Sequence, residues 1–246
     1  MTLFSRLVHD AARLADAPVG AVSEAPPADW LGPAVVRDDQ LGGLARGRLP
    51  AGGLAISVVN TGGAGGLLGL ARRTQDPLRL VAVESALRDL DDLAGNVARI
   101  AAAARELPDD PDVFVQIPSA WGWERAVEAV EAEALFAKID AAAGLAAVGD
   151  LIAACVEADL PFKVSGLPVD GLLPLLVAVA ALVDGADPVA ATHAGSRPAA
   201  DLAETIRAWD PPAQARVRRR LIGCDSPDVA ATGDLLRTLG LVPAEP

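Results

Sequence analysis

Two short apolar runs each carry one lysine near the end: "ALFAKID" at 134–140 and "PFKVSG" at 161–166. Lysine is scarce in this chain, and both runs read as buried strands. An amine inside a strand is costly unless it is paired or used. Two lysines that meet on neighbouring strands with no carboxylate between them depress each other's pKa, and a neutral amine forms a Schiff base with a carbonyl compound. If Glu84 or Asp140 bridges them, both stay charged and the pair reads as a substrate-anion clamp or a structural lock. Glu84 ends the strand-like "LRLVAVE" (78–84) and is suited to act as acid or base beside them. Lys138, Lys163 and Glu84 are therefore the candidate catalytic residues. The competing reading of the same residues is a salt bridge, from Glu84 or Asp140 to the lysines, that holds the mouth of the fold.

Other strand ends supply candidate substrate-binding residues. They are Asn60, Thr61, Gly62 and Gly63 in "VVNTGGAGG", Gln116 in "DVFVQIP", Asp140, Ser165, and Cys224 in "LIGCDSPD", where Asp225 follows. Alternation sorts the faces. Leu135, Ala137 and Ile139 share one face of their run, while Phe136, Lys138 and Asp140 share the other. Phe162 and Val164 oppose Lys163 and Ser165 in the same way. If the aliphatic faces meet helices, Glu84, Lys138 and Lys163 point inward. The plainer reading of Cys224 is a small buried hydrophobe, and Cys155 reads as helix core. His193 has the reach of a loop residue, with a solvent-facing role as the simpler reading.

The stretch "VVNTGGAGGLLGLARR", with Glu84 about twenty residues on, has the layout of a dinucleotide fingerprint. Counted from Gly63, however, the pattern needs Gly or Ala at 68, and Leu68 stands there. The alternative is a flexible loop whose backbone N–H groups hold an anion at a helix N-terminus. No cofactor is expected. Neither the two cysteines nor the two histidines, His9 and His193, have metal-ligand spacing, so no metal site is expected either.

The elements that must position these residues alternate regularly. Strand-like 33–37, 54–60, 78–84, 112–118, 134–140, 161–166 and 219–225 are separated by helix-like segments, the clearest at 90–107, 123–132 and 172–183. Such alternation implies parallel βαβ units with both sheet faces covered. The expected fold is α/β, a parallel (β/α) barrel of the TIM-barrel kind. It is expected to be irregular in its second half, because no strand is evident between 166 and 219. An open doubly wound sheet is the rival. The chain reads as a single α/β domain over 1–246, with 1–30 as an extension. Within it, "MTLFSRLVHDAARLAD" has the spacing of an amphipathic helix, followed by a Pro/Ala-rich loop.

Composition bounds the partners. A net charge of -12 argues against nucleic acid and anionic membrane, and the one basic run, "RVRRR" at 216–220, reads as a solvated helix face. No segment reads as a secretory signal or a bilayer span, so a cytoplasmic protein is expected, with a small-molecule ligand and a homo-oligomeric state as its partners.

Taken in order, "SVVNTGG", "VAVE", "AKI", "LIAACVEADLPFKVSGL" and "GCDSP…DLLRTLGLV" resemble an uncharacterised, largely actinobacterial family of (β/α)-barrel-like proteins, over roughly 54–242. The resemblance implies the order of elements and no activity. Family members often carry a histidine pair directly after the "GL" of the "PFK" segment; here Leu167 is followed by "PVDGLLP".

Three readings follow. The first is a barrel enzyme of aldolase or lyase type that uses the strand-end lysines on a small anionic or carbonyl substrate. The second is a non-catalytic degenerate barrel kept for binding or assembly. The third is an NAD(P)-dependent oxidoreductase built on the glycine motif.

Overall fold

The computed structural model describes residues 2–14, 28–46, 49–50, 52–74 and 76–243. Its strands close into one barrel in chain order: β1 (Val8–Asp10), β2 (Leu31–Arg37), β3 (Leu54–Asn60), β4 (Leu78–Ala86), β5 (Asp112–Gln116), β6 (Phe136–Asp140), β7 (Phe162–Ser165) and β8 (Leu221–Ser226). Every pair is parallel, and β1 seals the barrel by pairing with both β2 and β8. The helices are α1 (Leu41–Leu44), α2 (Gly63–Arg73), α3 (Leu93–Ala104), α4 (Trp123–Ala132), α5 (Gly149–Glu157), α6 (Leu172–Val183), α7 (Pro188–Gly195), α8 (Ala199–Arg207), α9 (Pro211–Arg220) and α10 (Val229–Thr238). The protein is thus an α/β parallel barrel and not an open doubly wound sheet.

Alternation explains the layers. Ile56 and Val58 on β3, Val113 and Val115 on β5, Ala137 and Ile139 on β6, and Phe162 and Val164 on β7 face outward into one apolar layer. Leu67, Val97, Ile100, Val127, Val130, Ile152 and Leu176 meet them from the helices. The opposite faces of the same strands, Glu84, Lys138 and Lys163 among them, therefore fill the barrel interior.

Two features depart from the sequence reading. Residues 2–14, the described part of the stretch 1–16 expected as an amphipathic helix, form no α-helix; Val8–Asp10 is the strand that closes the barrel, with a 3-10 turn at Ala12–Leu14. Leu3, Phe4, Leu7 and Val8 are buried, so their helical spacing reflects a turn and a short strand tucked against the core. The eighth strand is thus N-terminal, and the stretch between β7 and β8 holds α6 to α9 instead. α6 is apolar on almost every side because its neighbouring helices enclose it. The Pro/Ala-rich loop falls largely on 15–27, outside the described residues.

The basic run is largely consumed by ion pairs. Arg216 meets Asp184 at 3.2 Å, Arg219 meets Asp159 at 3.0 Å, and Arg220 also pairs with Asp159. Arg218 is buried, donating to the carbonyls of Leu221 and Ser5. Among the described residues no helix is long and apolar enough to cross a membrane.

Candidate functional site

Lys138 and Lys163 stand opposite each other in register on β6 and β7. Their inward direction follows from alternation, since Ala137 and Ile139 on one strand and Phe162 and Val164 on the other are committed to the outer layer. Glu84 arrives from β4, in register with Phe114. Both amines close on this one carboxylate: Lys138 Nζ donates to Glu84 Oε2 and Lys163 Nζ to Glu84 Oε1, each at 2.6 Å. Ser57 Oγ, from β3, donates to Oε1 as well, at 2.6 Å. Lys163 and Glu84 are 0% and 1% exposed, and Lys138 is 5% exposed. These are the only two lysines in the sequence.

Three partners escaped the sequence reading as site residues: Ser57, Asp225 and His9. Asp225 and Gly223 share the inner face of β8, because Lys163 pairs in register with Gly223. Lys163 Nζ lies 2.6 Å from Asp225 Oδ1 and 3.2 Å from His9 Nδ1. The ammonium is thus surrounded by three acceptors: Glu84, Asp225 and His9. The Lys163–Asp225 contact is a close, buried ion pair. Asp225 Oδ2 has no hydrogen-bond partner among the described residues. His9 lies in a slot made by glycines on both flanking strands. A Cβ on Gly32 would stand 2.5 Å from His9 Cδ2, and one on Gly223 would stand 2.5 Å from His9 Cε1. The Phe114 ring lies 5.4 Å from Lys163 Nζ and stacks at a tilt on Phe136.

The interior drives the two carboxylates apart. Burial pushes Glu84 up, but Lys163 and Lys138 overcome it and hold Glu84 well below the usual carboxylate range. Burial raises Asp225; Lys163 opposes that, and the Glu84 charge adds to it, leaving Asp225 above the usual aspartate value. For Lys163, burial pulls the pKa down, yet Asp225 and Glu84 reverse this and raise it. Burial, and then Lys163, push His9 well below the usual histidine value. His9 is therefore neutral, and its Nδ1 accepts from Lys163.

The remaining candidates are placed elsewhere. Asn60 is in register with Ser85, on the face of its strand opposite Val59 and Glu84. Its amide builds the loop: Nδ2 donates to the Gly63 carbonyl at 2.7 Å and to Ser85 Oγ at 2.9 Å, while Oδ1 accepts from Gly62 N at 3.1 Å. A Cβ on Gly66 would run into Asn60 Oδ1, which explains a glycine there. Thr61 binds Asp38 through both its amide, at 3.1 Å, and its hydroxyl, at 2.7 Å. The N–H groups of Thr61 and Gly62, expected to hold an anion, are thus taken by the chain's own Asp38 and Asn60. In a closed barrel the glycines have no strand-order reversal to serve, and the fingerprint layout loses its structural meaning. Gln116 is half-buried on the inner face, in register with Lys138. Asp140 is exposed and accepts from Ala142 N at 3.0 Å; it does not bridge the lysines. Ser165 is buried beside it in register. Cys224 pairs in register with the outward Val164, so it faces the helices and not the site. Burial pushes its thiol up to about 12. His193 is exposed on α7.

Among the described residues no three His, Cys, Asp or Glu side chains group as metal ligands. A cleft of about 520 Å³ opens between the loop before α4 and the first turn of α5, with Trp121 and Trp123 on its wall. None of the buried charged residues lines it. Compared with protein-family models, with characterised proteins and with solved structures, the chain has no significant match.

Proposed function

We propose that the protein is a barrel enzyme of aldolase or lyase type, acting on a small anionic or carbonyl substrate, with Lys138 as the amine that forms a Schiff base. The observation that carries this reading is that both lysines of the chain meet at Glu84 inside the barrel. All 21 basic residues but these two are arginine. A purely structural ion pair has no need of lysine, whereas imine chemistry requires an amine that can shed its proton. Buried ion pairs also contribute little net stability compared with apolar side chains of similar volume, so stability alone is a weak reason to keep them.

The two lysines divide the work. Lys163, ringed by three acceptors, stays charged and supplies a fixed positive potential. Lys138 has Glu84 as its one side-chain hydrogen-bond partner among the described residues and is the more exposed of the two. In the reaction a proton passes from Nζ to Glu84 Oε2, to which it already donates; the amine attacks the substrate carbonyl carbon, water leaves, and the proton returns to the imine nitrogen. Glu84 anchors both amines in place. Kinship with the actinobacterial barrel family and a cytoplasmic location belong to this proposal as well.

A second reading is favoured by one observation. Glu84 and Lys163 are sealed from solvent, and the cleft of about 520 Å³ does not reach them. On that reading the network is a structural lock in a non-catalytic barrel. Borohydride reduction in the presence of pyruvate or small aldehydes, read by intact mass, separates the two. An adduct on Lys138 supports the enzyme; its absence across the panel supports the lock.

A further inference from the structure

Glu84 and Asp225 flank the same ammonium from opposite sides of the barrel, yet their oxygens are differently occupied. Glu84 Oε1 receives Ser57 Oγ and Lys163 Nζ, and Oε2 receives Lys138 Nζ. Three of the roughly four acceptor positions on Glu84 are thus filled, both of those on Oε1 among them. Asp225 is 3% exposed, inward-facing and held only by the ion pair through Oδ1. Its Oδ2 has no partner among the described residues. A buried carboxylate oxygen with no donor costs free energy unless something uses it. His9 stands behind it, with Nδ1 3.7 Å from Asp225 Oδ1, fixed by the Gly32 and Gly223 slot.

We propose that Asp225 is the proton-transfer group of this site, with His9 as its positioning residue. The inference rests on the Schiff-base reading of Lys138. Once the imine forms and is protonated on nitrogen, the carbon next to it becomes acidic. Asp225 Oδ2 takes the proton from that carbon, and the C–H electron pair moves into the C–C bond as the iminium becomes a neutral enamine. Asp225 is then a neutral acid and returns the proton to carbon in the reverse step. No oxidant or external co-reactant enters. The environments suit this division, because two carboxylates with pKa values pushed in opposite directions take different roles. Glu84 is held ionised by two ammoniums, while burial favours the neutral form of Asp225. The charged or titratable groups facing Asp225 are Lys163 on β7, Glu84 on β4, Lys138 on β6 and His9 on β1, with Cys224 adjacent on its own strand.

The test follows two signals on the full chain in D2O with pyruvate and acetaldehyde as probes. One is the borohydride-trapped mass, and the other is α-carbon hydrogen–deuterium exchange by proton NMR. Asp225→Asn is expected to still form the adduct while exchange falls at least 100-fold. His9→Gln, which keeps Asp225, is expected to slow exchange about tenfold and to move its pH profile. Exchange in Asp225→Asn at the wild-type rate, or falling only in proportion to the adduct, overturns the assignment and leaves the Schiff base standing. Absence of any wild-type adduct overturns both. Should Asp225→Asn fail to fold, the wild-type exchange profile decides. A rise through one ionisation above the usual aspartate value supports Asp225, and a flat profile from pH 4 to 8 removes it.

Discussion

Lys138 and Lys163, directly opposite in register on adjacent strands, grip the two oxygens of a single carboxylate, Glu84, at 2.6 Å each. The arrangement offsets two positive charges with one negative one, and Asp225 supplies the second. Most of what can be tested follows from that balance.

Removing the central charge leaves two buried ammoniums short of a counter-ion. Glu84→Gln is expected to lose about 3–5 kcal/mol of stability, the usual scale for breaking a buried ion pair from one side. Urea unfolding followed by circular dichroism measures it. A loss under about 1 kcal/mol would mean that water, and not Glu84, solvates the lysines.

Acid should weaken the fold in two stages. The His9 pKa is lowered in the folded state, so the unfolded chain takes up that proton first, and stability falls as pH drops below about 6.5. The slope from one such group reaches about 1.4 kcal/mol per pH unit. The Glu84 pKa is also lowered, so its contribution is fully present above about 4.3 and is lost as pH falls further toward its folded value. Asp225, raised, acts in the opposite sense: the folded state takes up its proton first as pH falls toward about 3.9, which offsets part of the first loss before that of Glu84 sets in. The raised Lys163 keeps its contribution below about 10.4 and loses it only at higher pH. Urea midpoints at pH 8, 6 and 5 should fall for the wild type and flatten in His9→Gln over that range. Equal slopes would show that His9 is not the group responsible.

The glycine slot makes a separate claim. Gly223→Ala places a methyl against a ring that has Gly32 on its other side, so His9 must shift away from Lys163. A cost of about 1–3 kcal/mol is expected, the range for overpacking a filled interior. An unchanged melting temperature would show that the ring has room to move.

Much of this site was legible in the sequence, and the rest failed for identifiable reasons. Period-2 alternation in "ALFAKID" and "PFKVSG" put both lysines on the inner face, because their aliphatic neighbours could only belong to the helix-facing layer. The strand runs and their helical spacers gave the barrel. His9 was hidden because Leu3, Phe4, Leu7 and Val8 mimic a helix face, while the strand that carries His9 is three residues long. Asp225 was visible beside Cys224, but "LIGCDS" does not say which of the two faces inward. The register of Lys163 with Gly223 decides it, and that is a tertiary fact. Ser57, a lone hydroxyl in "LAISVVN", was the one available hint that a buried acceptor waited opposite. The glycines of "NTGGAGG" suggested a ligand but serve Asn60 and its turn, since close backbone approach has the same sequence signature whatever approaches.

Both cysteines should be chemically silent. Burial pushes each thiol up to about 12, and Cys224 faces the helices. A thiol reagent at pH 8 should label neither in the native protein and both in guanidinium. Rapid native labelling of Cys224 would place it at an open mouth, contrary to the register.

The most direct measurement of the central claim is borohydride trapping followed by peptide mapping. The only two lysines in the sequence make the assignment unambiguous apart from the terminal amine. Wild-type protein reduced with pyruvate or a small aldehyde is predicted to carry one adduct, on the peptide containing Lys138. Lys138→Met should abolish that adduct, whereas Lys163→Met should keep Lys138 as the modified position at lower yield. An adduct on Lys163, or no adduct on either lysine with both variants strongly destabilised, would contradict the account.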